Sequence, residues 1–367
     1  MSSPAATSDL RAVGALFRLR GRWTGGAPHG SGHIHDTFLA TADDAGRPVR
    51  YALQRLNERV FPDLDAVTEN IARVTAHLRG REDPSDGFRT LSPVAARAGG
   101  WLARDDAGAA WRAFEWIENA RSVDVARTPA EAREAARAIG LFHRRLADMP
   151  ARSLRETIPG FHDTPRRYEA LHRAIERDAA GRLGDVRAEV AFALAREEPA
   201  GRLIAGWRAG RLPERVTHND TKINNILFDE NTGRAVCVID MDTAMPGLAL
   251  YDIGDMIRTM TSPADEDERD LSRVTFRLPF HEAILRGYRE GAGDLLTAAE
   301  RAELPFCGRV ITLETGVRFL ADFLSGDVYF KTARPGHNLD RCRTQFRLVE
   351  EMERAEGTSH STFIIGH

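Results

Sequence analysis

Between Arg215 and Thr243 the chain reads RVTHNDTKINNILFDENTGRAVCVIDMDT, the segment that most restricts its fold. His218, Asp220, Lys222 and Asn225 stand in the order H-x-D-x-K-x-x-N, and Asp240 follows Asp220 by 20 residues at the end of an apolar run. Two short apolar stretches, NNILF and AVCVID, flank the turn DENTG, so the motif opens a hairpin whose second strand ends on a carboxylate. Phosphoryl transfer needs these residue types: a carboxylate to orient the acceptor hydroxyl and take its proton, and oxygen ligands for a magnesium ion that bridges the phosphates. Asp220 fits the base, and Asn225 and Asp240 fit the metal ligands. Lys222 would lie against the transferring phosphoryl group, and His218 would brace the loop. The motif alone is weak, because a loop cap, a turn residue and a strand-end group explain the same residues, so its context decides.

That context is a strand-rich first third. GRWTGGAPHGSGHIHDTFLATADDAGRPVRYALQRL predicts strand, Gly-rich loop, strand, turn and strand, preceded by a short helix capped by Ser8 and running to about Leu19. Phe61-Pro62-Asp63 then opens a helix with Leu64, Val67, Ile71, Val74 and Leu78 on one face, closed by Gly80. AARAGGWLARDDAGAAWRAFEWIEN repeats the pattern of strand, Asp-Asp-Ala-Gly turn and strand, giving about five strands with one helix inserted after the third. From Thr128 helices take over: Thr128, Pro129 and Glu131 form a capping box, and helical periodicity recurs at about 166–179, 185–196, 249–260, 279–290, 297–325 and 338–355. The expected class is α+β, with an antiparallel amino-terminal lobe over 1–118 and a mainly helical lobe over 119–367.

Composition narrows the function. Of 367 residues, 42% are hydrophobic and 29% charged, which argues against disorder, and a net charge of −3 leaves no excess of cations for nucleic acid or an anionic membrane. Three widely separated cysteines suggest neither a disulfide framework nor a zinc site, and no leader or membrane span is evident, so a cytoplasmic protein is expected. Lysine occurs only at Lys222 and Lys331; the other cationic side chains are arginines.

The order of meander, inserted helix, H-x-D-x-K-x-x-N hairpin and helices resembles the protein-kinase-like fold of the aminoglycoside and choline kinase superfamily. Within it the chain resembles N-acetylhexosamine 1-kinases, through GSGHIHDTF at 30–38, YALQRLN at 51–57, THNDTKINNILFD at 217–229, VIDMDTAMPGLALYDIGD at 238–255 and RFLADFLSGDVYF at 318–330. The resemblance implies transfer of the gamma-phosphate of ATP, with Mg2+, to the anomeric hydroxyl of N-acetylglucosamine or N-acetylgalactosamine. It makes His33 a sugar contact and matches Arg318 and Tyr329 to an arginine and a tyrosine of the acceptor pocket. Gly30 and Gly32 would let the backbone approach the nucleotide phosphates, and Glu115, Trp116 and Ile117, where the lobes join, would read adenine through main-chain groups.

One departure matters. Kinases carry a phosphate-clamping lysine on the third strand, and here no lysine precedes Lys222; register puts Gln54 in its place. Either the amide bonds the phosphates while Lys222 supplies the charge, or an arginine from elsewhere reaches in. Glu69, the usual partner of that lysine, is then either functional or a solvated helix residue. Asp242 could contact metal or sugar or simply shape a turn, and Asp252 and Asp255 suit a structural role at a helix start. The alternatives are a kinase of the same fold with another small alcohol as acceptor, such as a monosaccharide, choline or an aminoglycoside, and a nucleotide-binding pseudokinase.

Overall fold

Alternating burial in the first hundred residues builds an antiparallel sheet. The computed structural model describes residues 9–30 and 34–358. Strands β1 (Arg22–Pro28), β2 (Asp36–Asp44) and β3 (Arg47–Arg55) form the expected meander, and helix α2 (Leu64–Arg79) follows a short α1 (Leu10–Ala15) in chain order. Strands β4 (Pro93–Val94), β5 (Ala103–Arg104) and β6 (Ala110–Glu115) complete the sheet, in the order β1-β2-β3-β6-β4 with β5 also on β6. The five apolar residues named for α2 are all buried, and Asp63 caps it by accepting the Ala66 N–H at 2.8 Å.

Two expectations need correction here. Ser8 lies outside the described residues and Asp9 caps α1, and the helix stops at Ala15 because the chain is drawn onto the sheet: Phe17 bridges Ala96, and Arg18 N–H donates to Ala95 O at 2.9 Å. The single strand expected before the Asp-Asp-Ala-Gly turn is two short ones, β4 and β5. Gly99 and Gly100 lie at positive φ, 103° and 70°, and turn the chain between them.

Between Glu115 and Ala120 the chain leaves this sheet. Strand β7 (Ala120–Arg121) pairs with β9 (Ile226–Asp229), whose hairpin partner is β10 (Ala235–Val238), while β8 (Arg215–Thr217) pairs with β11 (Met245–Gly247). Helix α3 (Pro129–Arg145) carries the capping box of Thr128 and Glu131. It is followed by α4 (Thr164–Arg177), α5 (Arg187–Leu194), α6 (Glu197–Ala200) and α7 (Arg202–Arg208), then α8 (Ala249–Met260), α9 (Leu278–Ala292), α10 (Ala298–Leu324) and α11 (His337–Thr358). Helices α3 and α9 meet backbone to backbone, since a Cβ on Gly287 or Gly291 would strike the carbonyls of Arg133 or Arg137. The apolar core runs continuously from α2 through α3 and the hairpin to α8 and α9, so the sheet-rich and helical parts share one packing unit beneath the hairpin. No helix among the described residues is long and apolar enough to cross a membrane.

Candidate active site

The segment 217–225 is irregular, and α8 supplies the order it lacks. Asp252, in the first turn of α8 and fully buried, accepts the main-chain N–H of His218 at 2.8 Å and of Asn219 at 2.6 Å, and its own carbonyl receives the Thr221 hydroxyl at 2.7 Å. Behind it, His143 of α3 bridges the Asp252 carboxylate and the Tyr288 hydroxyl of α9, each at 2.8 Å. Burial would raise the Asp252 carboxyl, but the hydrogen bond and charge of His143, with further contributions from His218, hold it below the ordinary range. Asp255, paired with it in the sequence reading, instead meets Arg258 at 2.8 Å.

His218 braces the loop, as expected. Its Nε2–H donates to Ile239 O at 2.8 Å, which fixes the tautomer and leaves Nδ1 to accept the Asp220 N–H at 3.3 Å. Asn219, at φ 64°, ties the loop to Thr217 and Thr243.

Asp220, Lys222, Asn225 and Asp240 form one electrostatic group. The Asn225 amide donates to Asp220 O at 2.9 Å and to Asp220 Oδ2 at 3.3 Å, and Lys222 Nζ lies 3.3 Å from Asp220 Oδ1. Burial opposes ionisation of Asp220, yet Lys222, His218 and Arg258 outweigh it and keep the carboxyl ionised below its usual range. Lys222 is shifted upward, first by the Asp220 charge. Asp240 is exposed in a left-handed turn, φ 58°, directly after β10. Partial desolvation by the chain packed around the turn, which leaves the side chain open to solvent on its other side, together with repulsion from Asp242 and Asp220, pushes its carboxyl up to about 6. The Ile239 N–H donates to Asn225 O at 2.9 Å, which brings the Asn225 and Asp240 segments together; a carboxylate under such repulsion and an amide oxygen left over once Asn225 Nδ2 is engaged are donors of the kind a hard divalent cation takes. Among the described residues no cluster of three or more His, Cys, Asp or Glu could itself hold a metal ion.

The other expected residues fall in different surroundings. Gly30 is at φ 74°, where glycine is favoured, whereas Gly32 and His33 lie outside the described residues. The Glu115 and Trp116 N–H groups donate to Ser92 O at 2.8 Å and Arg50 O at 3.0 Å, which commits two of the three N–H groups of the Glu115–Ile117 segment to the fold. Glu69 is an exposed helix residue, 3.3 Å from Arg155 and 4.0 Å from Arg73. Half-buried Arg318 lies over the rings of Phe161 and Phe330, at 5.1 Å and 5.4 Å. Tyr329 is 64% exposed on a turn that Asp322 organises by accepting the N–H groups of Val328, Tyr329 and Phe330 at 2.8–3.0 Å.

Asp242 is buried, and both its carboxylate oxygens are engaged. Oδ2 meets His35 Nε2 at 2.5 Å and Oδ1 pairs with Arg112. Neither partner was singled out from the sequence, although a cation inside the apolar strand AWRAFE is a signal in itself, since a buried charge requires a counter-charge.

A strand-rich part joined to a helical part, with a carboxylate, an amide and a second carboxylate gathered at the hairpin between them, defines a kinase-type phosphotransferase acting on a hydroxyl acceptor. The family model for the phosphotransferase enzyme family matches residues 25–293, and the chain belongs to that family. Solved structures share its fold at low identity. An aminoglycoside phosphotransferase from Alicyclobacillus acidocaldarius superposes with a TM-score of 0.59 at 16% identity, over 97% of this chain and 98% of that one. A spectinomycin phosphotransferase complexed with ADP and spectinomycin gives 0.53 at 13%, over 91% and 94%. APH(2″)-IIa, in a ternary complex with streptomycin and ATP, gives 0.51 at 12%, over 96% and 97%.

Proposed function

We propose that this phosphotransferase moves the gamma-phosphate of ATP to the anomeric hydroxyl of an N-acetylhexosamine, giving the sugar 1-phosphate. The observation that carries the chemistry is the Asp220 carboxylate, kept ionised and fixed between Asn225 and Lys222. An ionised, oriented carboxylate within reach of an acceptor hydroxyl aligns it for in-line attack and accepts its proton. Asn225 and Asp240 would hold Mg2+, which when bound neutralises charge on the phosphates. Lys222, with its charge secured by Asp220, would sit against the transferred group. Gly30 and Gly32 would let the backbone approach the phosphates, and the main chain of Glu115–Ile117 would meet the base at a lobe boundary near residue 118.

The acceptor class rests on Arg318, Tyr329 and, through the sequence resemblance, His33. A guanidinium held among aromatic faces donates to hydroxyl or acetamide oxygens and repels a cationic acceptor, and an exposed tyrosine offers a sugar both a face and a hydroxyl. The deciding experiment is magnesium-dependent ADP release with N-acetylglucosamine, N-acetylgalactosamine, glucose, galactose, choline and kanamycin, with the phosphorylated position read by phosphorus NMR. An anomeric phosphate on the N-acetylated sugars supports the proposal. Turnover confined to another acceptor replaces the substrate, and nucleotide binding without turnover on a broader panel points to a pseudokinase.

A further inference from the structure

The row of side chains that crosses the sheet at Gln54 answers the question posed by the missing third-strand lysine. In the register of β2, β3 and β6, Thr37 faces Gln54 and Gln54 faces Arg112, so the three side chains project from one face. They are joined in sequence: Gln54 Nε2 donates to Thr37 Oγ1 at 3.0 Å, and Arg112 Nε donates to Gln54 Oε1 at 2.8 Å. The positive charge has therefore moved one strand sideways, roughly 4.8 Å. Arg112 is 3% exposed and pairs with Asp242, which is 4% exposed. His35, whose Nδ1 accepts the Asn57 N–H at 3.0 Å, closes the group on the other Asp242 oxygen. The Thr157 hydroxyl, 2.9 Å from Asp242 O, anchors the same turn from the helical side.

We propose that Arg112 replaces the third-strand lysine, as a positioning residue rather than a catalytic one. Its bond to Asp242 fixes the turn that presents Asp240, and its bond to Gln54, which in turn bonds Thr37, ties that turn to strands β2 and β3. The departure that suggested a pseudokinase is then a relocation of the cation. This inference rests on the proposed metal role of Asp240, which lies two residues from Asp242 in a short turn, Met241–Thr243.

The test is calorimetric binding of ADP with and without Mg2+ to the full chain and to Arg112→Gln, Arg112→Lys and Arg112→Gln/Gln54→Lys, with circular dichroism melting to verify folding. Arg112→Gln should weaken the magnesium-dependent part of ADP affinity by about 10–100-fold, the range for residues that support a metal ligand, and leave metal-free ADP binding near the parent value. Restoring the cation on strand three in the double variant should recover most of that loss. If Arg112→Gln melts earlier yet keeps the magnesium enhancement, or if the double variant stays as weak as the single one, the inference is overturned. Should Arg112→Gln fail to fold, Arg112→Lys reports instead: a partial loss of magnesium enhancement supports the role, and an unchanged enhancement with lowered melting overturns it. Binding reports on Arg112 even if no acceptor is phosphorylated, so failure of the substrate assignment is separable from failure of this one.

Discussion

Asn225 holds Asp220 at two atoms, its amide donating to the main-chain carbonyl at 2.9 Å and to the carboxylate at 3.3 Å. The proposed base and the proposed metal ligand therefore move as one unit, and a change that keeps the shape of Asp220 while removing its basicity isolates the chemical step. Asp220→Asn should lower turnover by roughly 10²–10⁴-fold and leave ADP affinity by calorimetry close to the parent. Near-normal turnover would remove Asp220 from the role of base.

Asp252 gathers two main-chain N–H donors and His143 at a site without solvent. Asp252→Ala should cost about 3–5 kcal/mol, the range for breaking a buried charged network, seen as a lower urea midpoint. It should also reduce turnover, because residues 218–221 lose their anchor. A loss under about 0.5 kcal/mol, typical of surface substitutions, would show that the loop holds its shape unaided.

The Asp240 carboxyl, pushed up to about 6, gives a pH dependence with a defined sign. Below that value the group is protonated in the free protein, so a cation must displace a proton to bind there, and apparent magnesium affinity should fall as pH drops from 7 through 5. Titrating magnesium-dependent ADP binding across that interval checks it. An enhancement that is flat with pH would mean that Asp240 does not ligate the ion.

The contact between α3 and α9 predicts a stability effect far from the chemistry. Gly291→Ala puts a methyl group against the Arg137 carbonyl, which is main chain and cannot turn aside. A loss of about 1–3 kcal/mol is expected from this overpacking, with the Mg-ADP affinity of the folded fraction unchanged; a neutral melting temperature would mean that the helices separate freely.

Local chemistry was legible in the sequence, and long-range pairing was not. The capping box of Thr128 and Glu131, the apolar face of α2 and the spacing from His218 to Asn225 are each set by neighbours within a few residues, and each appears in the fold. Arg112 escaped because its partners are distant in the chain. The register that puts it beside Gln54 joins strands separated by α2 and two further strands, and Asp242 lies 130 residues away. Similarly, the end of α1 is set by Ala95 and Ala96, well beyond any window that reads helix periodicity. The engagement of both Asp242 oxygens is legible only once the sheet is assembled.

The pairing of Lys222 with Asp220, in a chain whose one other lysine is Lys331, has a consequence for reagents that attack amines. Nearly all surface cations are guanidiniums, which such reagents pass over, so side-chain acylation divides between exposed Lys331 and Lys222. Because Asp220 keeps the Lys222 ammonium charged, Lys222 should react slowly, and neutralising the partner in Asp220→Asn should accelerate it. Lys331 serves as the internal standard, and the labelling ratio of the two sites, read by mass spectrometry, becomes a chemical gauge of occupancy at Asp220.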